Sequence, residues 1–325
     1  MPDTNAAHWD NYWQGRASNV SGNALVEVGI ENNHALKTFW LEIFKPLEKS
    51  AHIVDFACGA GSVLEHAFNL GFLNLSGVDV SQKALDVMLA KIPTANGICA
   101  PVNKIDQTDN NSADLVVSQF GIEYAGSRQN LFQAFLEMHR ILKPKGEIII
   151  VAHAEEGLIY EGCENSLKHL KIIEDSQFIK TAKKTIETIH KNKNQTKPAA
   201  TQKLMATLNS SAEPIMEWLR NTDRSKNIFA QFTYYLLESS HKLITNHNSY
   251  SKAESLNWFA GIEAELDAYK GRMSSMTNAA LNPAEISELE DRLKSTTLTF
   301  LPTEKLYFSP NEKLAAWIIR AKKQS

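Results

Sequence analysis

Between residues 50 and 153, four apolar runs (HIVDFA, NLSGVDV, ADLVVSQF and GEIIIVAH) alternate with stretches whose apolar positions fall at helical spacing. A strand with one wet face alternates apolar and polar side chains. A run such as EIIIV is apolar at consecutive positions and needs cover on both faces, as in a parallel sheet flanked by helices. The segment is therefore expected to form an open α/β sheet, with a weaker strand at GICAPV. The helices between are read at 62–70, at 81–91 with Ser81 as N-cap, and at 127–142, ending at Lys143-Pro144. LKPKGE has the Pro and Gly of a tight turn before the last strand.

The stretch IVDFACGAGSVLEHAF, residues 53–68, breaks at Gly59 and Gly61 and resumes as a helix. Glycine takes φ values closed to other residues and lets a ligand approach the main chain. The free N–H groups of the helix that follows, from about Ser62, point at the same spot. A small polar or anionic ligand is expected there. Asp55 precedes the turn, and Asp79 ends the next strand in GVDVS. An acid about 20 residues after such glycines is where α/β nucleotide-binding folds hold a ribose, because one carboxylate accepts from both vicinal hydroxyls. A dinucleotide fold would add a third glycine, as G-x-G-x-x-G. That position is Leu64 here, which weighs against NAD.

After Ala154 the chain reads as helix after helix. Leu167, Leu170, Ile173, Ile179, Ala182, Ile186 and Ile189 keep helical spacing, as do Ile228, Phe232, Tyr235, Leu236 and Leu243. Strand signal returns only in TLTFL, KLYFS and KLAAWIIRAKK. So few short strands are marginal alone, so they are expected to rejoin the sheet begun near residue 50. The helical block then becomes an insertion.

With 43% hydrophobic and 22% charged residues, the 325-residue chain can bury an ordinary core. A net charge of −3 and a pI near 6.4 give no global attraction for nucleic acid or acidic membranes. The stretch 165–200 is locally basic, with eight lysines against Glu174, Asp175 and Glu187. It reads either as a solvated helix face or as a phosphate-contacting patch. Cys58, Cys99 and Cys163 form no C-x-x-C, which fits a reduced interior and no metal site. The start, MPDTNAAHWDNYWQGR, lacks a leader pattern, and no run approaches about 18 apolar residues. A soluble, cytoplasmic protein with no membrane partner is expected.

VDFACGAG, GVDVSQKALDVMLAK, SADLVVSQFGIEY and ILKPKGEIIIVAH, in this order and at these separations, resemble the successive motifs of class I S-adenosylmethionine-dependent methyltransferases. The resemblance covers roughly residues 50–153, and the terminal LAAWIIRAKK is similar to that family's last strand. It implies a Rossmann-like α/β sheet, mostly parallel with late C-terminal strands, and a large helical insertion between the fifth and sixth strands. The corresponding domains are an N-terminal helical lid (1–48), an S-adenosylmethionine-binding core (49–154), a helical insertion capping the substrate (155–282) and a closing helix and strands (283–325). The implied activity is methyl transfer from S-adenosylmethionine to a small-molecule acceptor by in-line displacement, without metal.

Carried over by position, the resemblance assigns Ala57, Cys58, Gly59, Ala60 and Gly61 to the methionine end of the cofactor. It assigns Asp79 to the ribose hydroxyls and Val80 to one adenine face; Asp55 either caps the loop or meets the cofactor directly or through water, and Gln119, after the fourth strand, is placed in the cofactor pocket. Ala57 replaces the usual first glycine, which is tolerated if its φ stays negative. The family often has an acid near Ala100 or Pro101 that accepts from the adenine amino group. None stands here, so a backbone carbonyl or water is expected instead, with Val102 against the ring.

Trp9, Tyr12, Trp13 and Arg16 share one helical face. They read either as core or as a lid, with Trp13 and Arg16 on the cofactor, Arg16 pairing with its carboxylate, and Tyr12 toward the acceptor. His153 ends the strand EIIIVAH, where open α/β sheets place functional side chains. It is either a base for the acceptor proton or a surface histidine. Phe120, Glu123 and Tyr124 follow the preceding strand and could line the same pocket, Phe120 and Tyr124 on the acceptor. Cys58 is read as packing rather than as a nucleophile. Two other functions stay open: an RNA or protein methyltransferase using the lysine-rich insertion, and a non-catalytic S-adenosylmethionine-binding protein.

Overall fold

A computed structural model describes residues 34–192, 198–309 and 313–325. Their contacts divide them into an α/β unit, residues 34–163 with 274–325, and a helical unit, residues 164–273. The chain runs α1 (His34–Phe44), β1 (Ile53–Phe56), α2 (Ser62–Asn69), β2 (Leu75–Asp79), α3 (Gln82–Lys91), β3 (Asn96–Cys99), β4 (Ala113–Gln119), α4 (Arg128–Ile141) and β5 (Leu142–His153). The helices α5 (Leu158–Ser176), α6 (Phe178–Lys191), α7 (Pro198–Arg220), α8 (Ile228–Thr245) and α9 (Lys252–Ala279) follow. Then come α10 (Pro283–Leu293), β6 (Leu298–Phe300), β7 (Glu304–Leu306) and β8 (Ala316–Lys323).

The sheet order is β3-β2-β1-β4-β5-β8-β6, with β7 also on β8. The first five strands are parallel. β8 pairs antiparallel with β5, from Glu147↔Lys322 to His153↔Ala316, and β6 and β7 share its other edge. The late strands thus rejoin the first sheet, with the helices α5–α9 between them in sequence. Strand order reverses about β1, and open α/β sheets hold ligands at the carboxyl ends of their strands beside that reversal.

Consecutive apolar residues on β5 serve two cores. Ile148, Ile150 and Ala152 pack with α4 and α10, while Ile149 and Val151 pack with α1, α2 and α3. This is the double burial that EIIIV implies. Two N-caps set where helices begin: Ser81 Oγ accepts from Ala84 N at 3.3 Å, and Ser127 Oγ from Asn130 N at 3.1 Å. The weak run GICAPV yields only the strand that stops at Cys99.

LKPKGE is not a turn before β5 but part of it. The strand begins at Leu142 and absorbs an irregularity, with Lys145 at φ 69° and a register shift opposite Ala113 and Leu115. A Cβ on Gly146 would lie 2.7 Å from Leu142 Cδ1 and 3.0 Å from Asp114 O, so only glycine fits this close crossing.

The helical unit has its own core. The Phe229 and Tyr269 rings stack at 5.2 Å, Trp218 lies between His169 and Phe229, and Tyr269 Oη donates to Ser166 Oγ at 3.0 Å. In the lysine-rich stretch, Lys168 pairs with Glu164 and Lys183 with Glu263, which neutralises part of its charge.

Candidate functional site

The turn after β1 is a cradle of main chain. Gly59 and Gly61 have φ of 51° and 75°. Gly61 starts α2 with no side-chain cap among the described residues, and such a helix N-terminus suits an anionic or polar ligand group. A Cβ on Gly61 would collide with Met88 Cγ. Ala57 corrects the expectation of a negative φ: it sits at φ 54°. The neighbouring element makes room for it, because a Cβ on Gly121 would lie 2.7 Å from both the Cβ and the carbonyl oxygen of Ala57.

Asp79 ties this turn to β2. Its Oδ2 accepts from Gly59 N at 2.8 Å and its Oδ1 from Ser81 N at 2.9 Å. Val80, the next residue, is 55% exposed, an apolar side chain standing in water beside that carboxylate. Val102 is buried in the core formed with α4 and α10, Ala100 is buried, and Pro101 is exposed. Ala100 N donates to Asp79 O at 3.0 Å, which keeps the β3 end beside Asp79.

Asp55 is fully buried, and its Oδ1 has no hydrogen-bond partner among the described residues. Burial, and then the Asp79 carboxylate, push its pKa well above the usual carboxylate range. The Cys58 thiol is likewise pushed up by burial and by the Asp55 and Asp79 carboxylates. It packs 3.7 Å from Met88 Sδ. A thiol held protonated is a poor nucleophile, which agrees with a packing role.

The edge after β4 adds an acid-base pair. Phe120, at φ 51°, donates its N–H to Val151 O and lays its ring 4.4 Å from the His153 ring. Ser118 Oγ donates to Phe56 O and accepts from Ile122 N, which fixes the short turn carrying Glu123. Glu123 Oε1 accepts from the main-chain N–H of His153 at 2.9 Å and meets His153 Nδ1 at 2.7 Å. Both side chains are buried, and Glu123 Oε2 has no partner among the described residues. Tyr124 Oη lies 3.5 Å from Nδ1. A carboxylate can only accept, so Nδ1 carries the proton toward Glu123 and Nε2 is left as the basic nitrogen. No hydrogen bond reaches Nε2 among the described residues.

His153 is thus neither a surface histidine nor alone. Glu123, which the sequence places after β4 in QFGIEY only as a residue that could line the pocket, is its hydrogen-bond partner. A charged residue just past a buried strand is the only local signal; the pairing itself is tertiary. Gln119 sits at the same edge, where its Oε1 accepts from Trp40 Nε1 at 2.6 Å, so it braces α1. Tyr12, Trp13 and Arg16, with Trp9, lie outside the described residues.

A family described as a methyltransferase domain matches residues 54–150. This stretch spans the cradle, Asp79 and most of β5, and it marks a methyltransferase domain within the α/β unit. Among relatives, YqeM of Bacillus subtilis, whose name carries the word methyltransferase, is 24% identical over 144 residues, covering 43% of this chain and 53% of its own. The ubiquinone/menaquinone biosynthesis C-methyltransferase UbiE of Campylobacter jejuni is 32% identical over 111 residues, 32% of this chain and 45% of its own. The chain spans about half the length of the curated relatives it matches. Among solved structures, the plantazolicin methyltransferase BpumL in complex with SAH aligns over 100% of this chain and 92% of its own, at TM-score 0.47 and 11% identity. A methyltransferase from Aquifex aeolicus aligns over 39% and 67%, at TM-score 0.33 and 18% identity.

The residues present fit S-adenosylmethionine. The cradle admits main-chain contact, the Asp79 carboxylate stands beside it at the end of β2, Val80 offers an apolar face, and Asp55 holds a buried oxygen without a partner among the described residues. Among the described residues no helix is long and apolar enough to cross a membrane.

Proposed function

We propose that the chain transfers a methyl group to a small organic acceptor and that His153 takes the acceptor's proton. When bound, S-adenosylmethionine supplies an electrophilic methyl on a sulfonium. The protein's part is to orient the acceptor, to exclude water and to hold the proton. Asp79 would hold the ribose hydroxyls, the turn from Ala57 to Gly61 the methionine end, and Val80 one face of the adenine.

The observation that carries this reading is the buried Glu123–His153 pair beside the cradle, with Gly121 against Ala57. Glu123 fixes the tautomer and compensates the charge that His153 gains on protonation. Nε2 then accepts from a hydroxyl or amine as it attacks. Phe120 and Tyr124 flank the imidazole and would bound the acceptor. UbiE is named for C-methylation in quinone biosynthesis, and that likeness supports a small organic acceptor over a macromolecule. The internal ion pairs of the lysine-rich stretch point the same way.

Calorimetry with S-adenosylmethionine, followed by turnover against a panel of phenolic, amine and carboxylic metabolites, tests the proposal. His153→Asn should keep cofactor affinity within about twofold and lower kcat by roughly a hundredfold, the low end for loss of a general base. Glu123→Gln should lower kcat without changing cofactor affinity. A His153→Asn enzyme with unchanged kcat would remove the base from the mechanism.

A further inference from the structure

Within the helical unit, α6, α7 and α8 enclose a cavity of about 460 Å3. That volume falls in the range of sites for drug-sized ligands, about 300–1,000 Å3. Every lining residue lies between Phe178 and Ile244, so the cavity is built by this unit alone and does not rest on the proposed methyl transfer.

Its walls are two helical stripes. Met205, Leu208, Ala212, Met216 and Leu219 line it from α7 at spacings of three or four residues. At about 1.5 Å per residue that stripe is about 21 Å long. Tyr234, Leu237, His241 and Ile244 line it from α8 in the same rhythm, and Phe178 contributes from α6. Phe178, Leu208, Leu219 and Ile244 are buried, whereas Met216 and Tyr234 are 42% and 45% exposed. The trough is therefore apolar, elongated and open along one side. Two methionines let its width adapt.

Positive charge is confined to one end. Arg220 is the last residue of α7, and Arg224 lies in the short turn before α8. The Arg224 guanidinium rests on the Tyr234 ring at 4.3 Å and pairs with no carboxylate among the described residues. Arg220 pairs with Glu213 at 2.7 Å, but both are more than half exposed, and such a pair exchanges readily. The carboxylate that lines the cavity, Glu238, faces Lys242 at 3.4 Å. The Ser240 hydroxyl is spent on Leu236 O.

We propose that this cavity binds an anionic amphiphile, its unbranched apolar chain along the α7 and α8 stripes and its carboxylate on Arg224 and Arg220. The two planar guanidinium forks match a carboxylate. Asn209, Tyr234 and His241 are the polar groups along stripes otherwise made of Met, Leu, Ala and Ile, so the chain it takes is mainly hydrocarbon.

The intact protein, with 13C-labelled methionine methyls, is titrated with dodecanoate below its micelle concentration. Dodecyltrimethylammonium and dodecanol serve as the charge-reversed and neutral probes. Dodecanoate should bind saturably at one site and move the Met205 and Met216 methyl signals, assigned by Met→Leu variants. The ammonium probe should bind at least about tenfold more weakly. The exposed double substitution Arg220→Ala with Arg224→Ala should leave the melting temperature unchanged and weaken dodecanoate about tenfold, bringing it level with dodecanol. Ala212→Trp should fill the trough and abolish binding of all three probes, circular dichroism confirming its fold. Unmoved Met205 and Met216 signals, equal affinity for the anionic and cationic probes, or an unweakened double variant would each overturn the proposal.

Discussion

Asp55 carries a buried carboxyl oxygen without a partner among the described residues, and its protonation is coupled to folding. Burial and the Asp79 charge raise its pKa in the folded state. A carboxyl raised in this way contributes stability that is full below its unfolded pKa and is lost as pH rises through the folded value. Asp55→Asn should therefore raise the ligand-free melting temperature at neutral pH, with the gain vanishing below about pH 4. It should also weaken S-adenosylmethionine, and melts across pH with and without ligand read both effects. Ala57 gives a second test, since a left-handed alanine costs about 1–2 kcal/mol and a glycine there about 0.5–1 kcal/mol in chain entropy. Ala57→Gly should therefore stabilise by up to about 1 kcal/mol in chemical denaturation, while Gly121→Ala should destabilise by forcing a Cβ against Ala57. Gly59, Gly61 and Asp79 were legible because a turn and a strand end need those residue types locally. The conformation of Ala57 was not, because the space for it comes from Gly121 across the sheet. The pairing of Glu123 was hidden for the same reason: its partner His153 ends another strand.

Among the elements, the junction of α9 and α10 is stitched to the end of β5. Leu281 N donates to His153 O, Trp317 Nε1 donates to Leu281 O at 2.8 Å, and the Arg128 fork reaches Ala279 O, Ala280 O and Glu285. These bonds hold the strand end that carries His153. Arg128→Lys keeps the charge but loses the fork, and it should cost about 1–3 kcal/mol in chemical denaturation. Helix starts were legible where a serine caps them, at Ser81 and Ser127. The LKPKGE irregularity was not, because Pro and Gly mark a break in extended chain without saying whether it is a turn or a bulge.

For the molecule as a whole, the division falls inside α5 and α9, so the ends of both helices belong to the α/β unit. There Cys163 Sγ and Met276 Sδ lie 3.8 Å apart, which brings the two crossing points of the chain together. Replacing residues 166–271 with a short Gly/Ser linker should leave an α/β unit that melts cooperatively and binds S-adenosylmethionine by calorimetry. Loss of cofactor binding in a folded variant would contradict it. The placement of β8 also bears on how the chain is made. Its partner β5 emerges from the ribosome early, but residues 154–315 must be synthesised before β8 exists. Until then β5 presents an unpaired apolar edge, the template on which nascent chains aggregate. The described residues of the helical unit, within 164–273, run in one stretch dominated by helices, whose contacts are local, so they can fold during that wait. Helper proteins that shield nascent strands should therefore limit the yield of this protein more than its finished stability does.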